Sequence, residues 1–174
     1  MKPRQTNLFQ EKPRYVLDTN IVVSFMKQTE DEYYGSDVFK PQWEFLESLI
    51  AKCVVIAPRQ VETELLEWCK TIPEMKDWLK HHKDMFVDVD DDAQLESAKK
   101  ILKEYPVYGS NKNFLGDLSV MTLADSMGIA ALTLEGESVG RSKRLPKIPN
   151  VSKEFNIDHA SFSGFLRREQ FGQQ

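Results

Sequence analysis

The chain has 174 residues, 41% hydrophobic and 29% charged, which fits one compact water-soluble domain and excludes a disordered chain or a pair of full-sized domains. With 23 basic against 27 acidic side chains the net charge is -4, so the all-over basic footprint of a typical DNA-binding module is missing and any nucleic-acid contact needs a local patch. Cys53 and Cys69 form no C-x-x-C pair and the opening MKPRQTNLFQEKPR is polar; with no apolar run of about 18 residues, these features predict a cytoplasmic protein without membrane contact.

After a polar leader at residues 1–13, Tyr15, Val16 and Leu17 form an apolar run that stops at Asp18-Thr19-Asn20. A buried strand followed at once by a helix is predicted, because Thr and Asn favour helix starts and the apolar IVVSFMK follows. Residues 28–40 read as a loop. Pro41 suits a helix start, and Phe45, Leu46, Leu49 and Ile50 recur at helical spacing with Trp43 beside them. Residues 53–57, CVVIA, are too few for a helix and rich in β-branching, which predicts a second buried strand. Pro58 opens the next helix, with Val61, Leu65, Trp68 and Cys69 on its buried face, and a helix containing Trp78 follows Pro73. MFVDVD predicts a short strand. Asp91 and Asp92 then precede a long helix with Leu95, Ala98, Ile101, Leu102 and Tyr105 on one side. Residues 106–116 read as irregular, 117–127 as helix, Gly128 as its terminator and 129–134 as another buried strand. Beyond Pro149 come a short helix, a strand-like stretch at 155–157 and a terminal helix near 161–170. Alternating helices and short apolar strands predict a single α/β domain over residues 14–174 with a mainly parallel sheet, whose ligands bind at the carboxyl ends of the strands.

Two acids fall at such ends: Asp18 after the first strand and Glu135 after Leu132-Thr133-Leu134. Asp117 begins the helix leading into that last strand, and Glu64 sits on the helix after the second. Two carboxylates about 4 Å apart repel by about 4 kcal/mol at an effective dielectric near 20, so a convergent cluster calls for a counter-charge. Oxygen-only donors favour a hard ion such as Mg²⁺ or Mn²⁺, and His81, His82 and His159 lie outside these motifs.

In order, these pieces resemble the PIN-domain family of metal-dependent ribonucleases, which includes toxins of bacterial toxin and antitoxin pairs. YVLDTN matches with Asp18 as first metal ligand and Asn20 as its supporting neighbour; PRQVETEL places Glu64 at the family's glutamate; GDLSVMTLADSMG places Asp117 at the third acid. ALTLE matches the final element, with Glu135 where aspartate is commoner. The resemblance covers about residues 14–136, leaving 137–174 as a C-terminal extension. The aromatic-rich segment from Tyr33 to Trp43, the T-x-E piece and the KIPNVSKEFNI tail look like one prokaryotic branch of PIN-like proteins. What the resemblance implies is a three-layer α/β/α domain in which Asp18, Glu64, Asp117 and Glu135 hold one or two Mg²⁺ or Mn²⁺ ions for RNA hydrolysis. Asn20 and Thr133 would support them, with Thr19 and Ser138 as minor candidates. An antitoxin protein or a second copy of the chain would be the partner of a toxin-type enzyme.

Plainer readings stand beside these. Asp18-Thr19-Asn20 could be ordinary helix capping. Periodicity puts Glu62 and Glu64 at opposite edges of one apolar stripe, and only the resemblance picks Glu64. Asp117 could simply meet its helix dipole, and Asp125 lies about 12 Å further along that helix. Trp43, Trp68 and Trp78 read as core. Arg141, Lys143, Arg144 and Lys147 are either a solvated loop or the local positive patch that an acidic RNA-cutting protein needs. The competing class is a PIN-like binding protein without activity, favoured by the glutamate at position 135; a phosphatase-like enzyme ranks last, because Asp18 is followed by Thr-Asn and no second aspartate.

Overall fold

A computed structural model describes residues 11–32, 34–88, 91–139 and 143–173. The first strand, β1 (Tyr15–Leu17), is buried throughout and lies in the middle of a five-stranded sheet. It feeds directly into α1 (Thr19–Lys27), and α2 (Lys40–Ala51) follows, with Pro41 in its first turn, where a missing N–H costs nothing. Next come β2 (Val55–Pro58), α3 (Arg59–Trp68) and α4 (Met75–His81), then the two-residue β3 (Phe86–Val87). The long return passes through α5 (Asp92–Glu104), α6 (Val107–Ser110) and α7 (Leu115–Met127) to β4 (Ala130–Thr133). The chain continues through α8 (Ile148–Glu154), β5 (His159–Ser161) and α9 (Phe162–Arg168).

The sheet order is β3-β2-β1-β4-β5 and every pairing is parallel. Tyr15 sits opposite Val55 on one side and Ala130 on the other. All residues of β1, β2 and β4 are buried, as a parallel sheet covered on both faces requires. On one face α7 packs on β1, β2 and β4 and carries α5 on its back. On the other an aromatic cluster joins α1, α2 and α9: Phe25 meets Trp43 and Phe162, each at 5.0 Å, and Tyr34 at 5.5 Å. The result is a three-layer α/β/α domain. Succession reverses at β1: the first three strands step outward one way, and β4 and β5 lie on the other side. A crevice therefore opens between the carboxyl ends of β1 and β4, the place where open α/β sheets take ligands.

Several boundaries differ from the sequence reading for local reasons. The second strand begins at Val55 because Cys53, at φ 60, is spent on turning out of α2, its N–H reaching Ile50 O. Residues 155–157 are no strand. Phe155 ends α8, Asn156 takes φ 56, and the N–H of Ile157 reaches back to Ser152 O at 2.8 Å, the hydrogen bonding of a Schellman stop. The fifth strand starts after it, at His159. In α5 the buried face carries Gln94, Ser97 and Ile101, while Leu95 is 53% exposed. Gln94 turns inward because its amide donates to Thr122 Oγ1 of α7 at 3.3 Å, pairing two buried polar groups. Residues 106–116 contain α6 and a 3-10 turn at Lys112–Phe114. Gly128, at φ 63, ends α7 as its position suggested. Among the described residues no helix is long and apolar enough to cross a membrane.

Phe25 meets the rings of Trp43 on α2, Phe162 on α9 and Tyr34 between α1 and α2, and has no exposed surface. Phe25→Ala should therefore cost about 3–5 kcal/mol, read as a lowered midpoint in urea unfolding.

Candidate functional site

The Asp18-Thr19-Asn20 turn does no capping. Asp18 precedes α1 in extended conformation, and its side chain makes no cap hydrogen bond. All three side chains instead reach across the crevice. Thr133, the last residue of β4, donates its hydroxyl to Asp18 Oδ2 at 2.7 Å, and Asn20 Nδ2 donates to Thr133 Oγ1 at 3.1 Å. Asn20 Oδ1 accepts the backbone N–H of Leu134 at 3.1 Å, so one amide side chain ties both the hydroxyl and the strand end. Thr19 donates to Glu64 Oε2 at 2.6 Å, drawing α3 onto the start of α1. Periodicity could not separate Glu62 from Glu64; in the structure Glu62 pairs with Arg59 at 2.8 Å at the surface, whereas Glu64 faces the crevice.

Asp18, Glu64, Asp117 and Glu135 all line one cleft of about 650 Å³, with Trp68 and Phe114 on its walls. Asp18 is 3% exposed. Burial above all, then the charges of Glu135 and Glu64, pushes its carboxyl up to about 7 against the pull of the Thr133 hydrogen bond. Asp117, in the first turn of α7, is pushed up to about 8 by burial and by Asp18, Glu135 and Glu64, with Lys147 opposing. The two innermost acids thus hold protons far above the carboxylate range, which is what crowding several negative charges into a poorly hydrated cleft does.

Glu135 is oriented differently. Lys147 Nζ donates to its Oε1 at 2.7 Å and the N–H of Ile148, first residue of α8, to its Oε2 at 2.8 Å. Both oxygens are engaged, and the side chain bridges the end of β4 to the segment that leads to β5. Among the described residues no three histidine, cysteine, aspartate or glutamate side chains form a ready-made metal shell; Glu64 and Glu135 are drawn onto protein donors instead. The donor chemistry still suits a hard divalent ion: oxygen only, with two carboxyls that burial and mutual repulsion leave short of positive charge.

Of the basic loop, Lys143 pairs with Glu104 at 3.3 Å and lies 5.6 Å over the Tyr105 ring. Arg144 is exposed, and Arg141 lies outside the described residues. Among the described residues of this loop, Lys147 is the one that bears on the cleft acids. Ser138 turns to Asn150 and not to the site, and Asp125 is exposed further along α7. Trp43 and Trp78 are core, whereas Trp68 is half-buried and borders the cleft.

Gly116 was missed by sequence reasoning. A Cβ there would overlap both carboxylate oxygens of Glu64, so the absent side chain is the seat of that glutamate. The available signal was a glycine immediately before the acid that opens a predicted helix; the structure puts it inside the first turn of α7, where Ala is otherwise favoured by about 1 kcal/mol. Gly116→Ala should displace Glu64 and weaken whatever the cluster binds while leaving the helix intact, which circular dichroism and cation-dependent melting together would detect.

A pH dependence follows with a fixed sign. The folded-state values of Asp18 and Asp117 lie above the ordinary 3.8, so their contribution to stability is complete below that value and is lost as pH climbs through about 7 and about 8. The melting temperature of the cation-free protein should fall over this range, and less steeply in Asp18→Asn or Asp117→Asn.

No curated protein matches the chain. Residues 15–172 match the model of a family described as a domain of unknown function, DUF4411, a span that takes in all five strands and all four cleft acids, and the chain belongs to that family.

Proposed function

We propose that the chain is a cytoplasmic, divalent-metal-dependent ribonuclease that hydrolyses RNA phosphodiester bonds. The observation that carries the reading is the convergence of Asp18, Glu64, Asp117 and Glu135, from well-separated parts of the chain, on one cleft at the strand ends. The ordered resemblance of the same four positions to PIN-type nucleases chooses among the reactions such a cluster could serve. Asp18, Glu64 and Asp117 would hold Mg²⁺ or Mn²⁺, with Glu135 at the rim. A bound ion of this kind supplies positive charge for the phosphate and acidifies water.

The remaining work falls to the protein. Thr133 and Asn20 fix the orientation of Asp18, so its carboxyl keeps one direction. Thr19 does the same for Glu64. Supporting hydrogen bonds of this type are worth about 10- to 100-fold in metal affinity or activity. Lys147, bonded to the cleft acid Glu135, would offer a cation to a phosphate, and that hydrogen bond together with the charges of Glu135, Asp117 and Asp18 favours its ammonium form. Such an enzyme of the toxin type would have an antitoxin protein or a second copy of the chain as partner.

One observation favours a second reading, a binding protein without activity: both Glu135 oxygens are already occupied by Lys147 and Ile148. Cleavage of single-stranded RNA with Mn²⁺ or Mg²⁺, halted by chelation, separates the two. Asp18→Asn should abolish cleavage, and Glu135→Gln should lower it about 10- to 100-fold. RNA bound but intact under all metal conditions would establish the binding protein. Glu135→Gln cutting at the wild-type rate would confine the site to three acids.

A further inference from the structure

The three tryptophans stand in different surroundings. Trp43 and Trp78 are buried with their rings 6.0 Å apart, and the Trp78 N–H donates to Glu47 at 3.0 Å. Trp68 is half-buried, and among the described residues its ring stacks on no other ring and its N–H meets no acceptor. It lies one turn beyond Glu64 on α3, at the i, i+4 spacing that sets two side chains next to each other, and both line the cleft.

A second ring is placed in the same way. Phe114 stands three residues before Asp117 at the start of α7 and lines the same cleft. The fully buried Tyr108 meets it edge-on at 5.8 Å, which backs the ring from inside. The helices α3 and α7 touch here, the Glu64 carboxylate filling the space that a Gly116 side chain would take. Each helix thus brings one acid and, within a turn, one aromatic ring.

The cleft is also larger than a cation needs. A hydrated ion with about six waters of about 30 Å³ each fills less than about a third of its 650 Å³. The remainder runs along α1, where Val23 and Ser24 follow Thr19 and Asn20 on one face. An apolar space walled by aromatic rings and joined to carboxylates that suit a divalent ion fits a flat ring tethered to a phosphodiester, which is an unstacked nucleobase. In a duplex that ring is covered by its neighbours; in an unpaired stretch it is free to swing onto an aromatic side chain.

We propose that Trp68, together with Phe114, is a stacking platform for an unpaired base of an RNA strand whose phosphodiester lies at the acids. The inference rests on reading the cleft as an RNA site and deepens it: the substrate is locally free of pairing, and the platform accepts any base, since every base has a π-face.

The test uses full-length wild type, Trp68→Leu, Trp68→Phe and Phe114→Leu with a short labelled single-stranded RNA of mixed sequence and the same strand made abasic. Affinity is read as initial fluorescence anisotropy on mixing in Mn²⁺. Trp68→Leu keeps apolar bulk without the ring, so it should melt near the wild-type temperature and take up Mn²⁺ as wild type does in calorimetry. It should bind the intact strand about 5- to 150-fold more weakly, with the loss in cleavage falling on KM and little on kcat. Trp68→Phe should recover most of the affinity, and Phe114→Leu should lose part of it. The abasic strand should bind wild type and Trp68→Leu alike.

Unchanged RNA affinity and KM in Trp68→Leu overturn the platform and leave the ribonuclease reading to its own assay. An equal loss on the abasic strand shows that Trp68 shapes the wall and does not stack, and a parallel loss of Mn²⁺ affinity puts the effect on the acids; either overturns it. Should Trp68→Leu not fold, a wild type without preference for the intact strand overturns it as well. Trp68-dependent binding of RNA that the wild type leaves uncut keeps the platform and removes the nuclease. A wild type that binds no RNA removes both.

Discussion

Asp18 stands at the end of the central strand, 3% exposed, with two other acids raising its proton affinity. A buried carboxylate is costly unless its oxygens are satisfied, and the surrounding architecture follows from meeting that demand. One oxygen is satisfied by Thr133 of the neighbouring strand, which is held in turn by Asn20. Thr133 is in reach because β4 pairs with β1 in parallel register, Leu132 opposite Leu17. The sheet order and the site are therefore one arrangement: moving β4 elsewhere would leave Asp18 buried and alone.

The alternation of strands and helices was legible because parallel strands buried on both faces are short, uniformly apolar runs, and YVL, VVIA and AALT are such runs. Asp18 and Glu135 were legible for the same reason, each falling where a run stops. Other features depended on partners distant in sequence. Gln94 shares the side of α5 that carries Ala98, Ile101 and Tyr105 by helical spacing, but the group that satisfies its buried amide, Thr122, lies on another helix. Glu64 is separated from Glu62 by Thr19, 45 residues earlier. Tyr108 lies in a stretch without periodicity, and the demand for glycine at 116 comes from the Glu64 carboxylate, which belongs to another helix.

The region after residue 137 is more than an appendage. It supplies the edge strand β5 and, through α9, the aromatic rings that cover one face of the sheet. Glu135 fastens it to the cleft by salt bridge and backbone hydrogen bond. Tyr15 and Arg14, at the other end of β1, are fastened to Glu169 beyond α9. The carboxyl end of β4 and the amino end of the central strand are thereby both linked to the segment after residue 137, and an acid at 135 longer by one methylene than aspartate spans the gap to Lys147.

The hydroxyl that steadies Asp18 comes from a residue 115 positions later. Contacts of such sequence separation form slowly, because the intervening chain must surrender its freedom before they contribute anything. A growing polypeptide leaving the ribosome carries Asp18 early, yet it has neither Asp117 nor Thr133 until most of its length has been synthesised. The acidic cleft is thus among the last features to assemble, and a nascent or truncated chain is inert toward anything the finished cleft would engage.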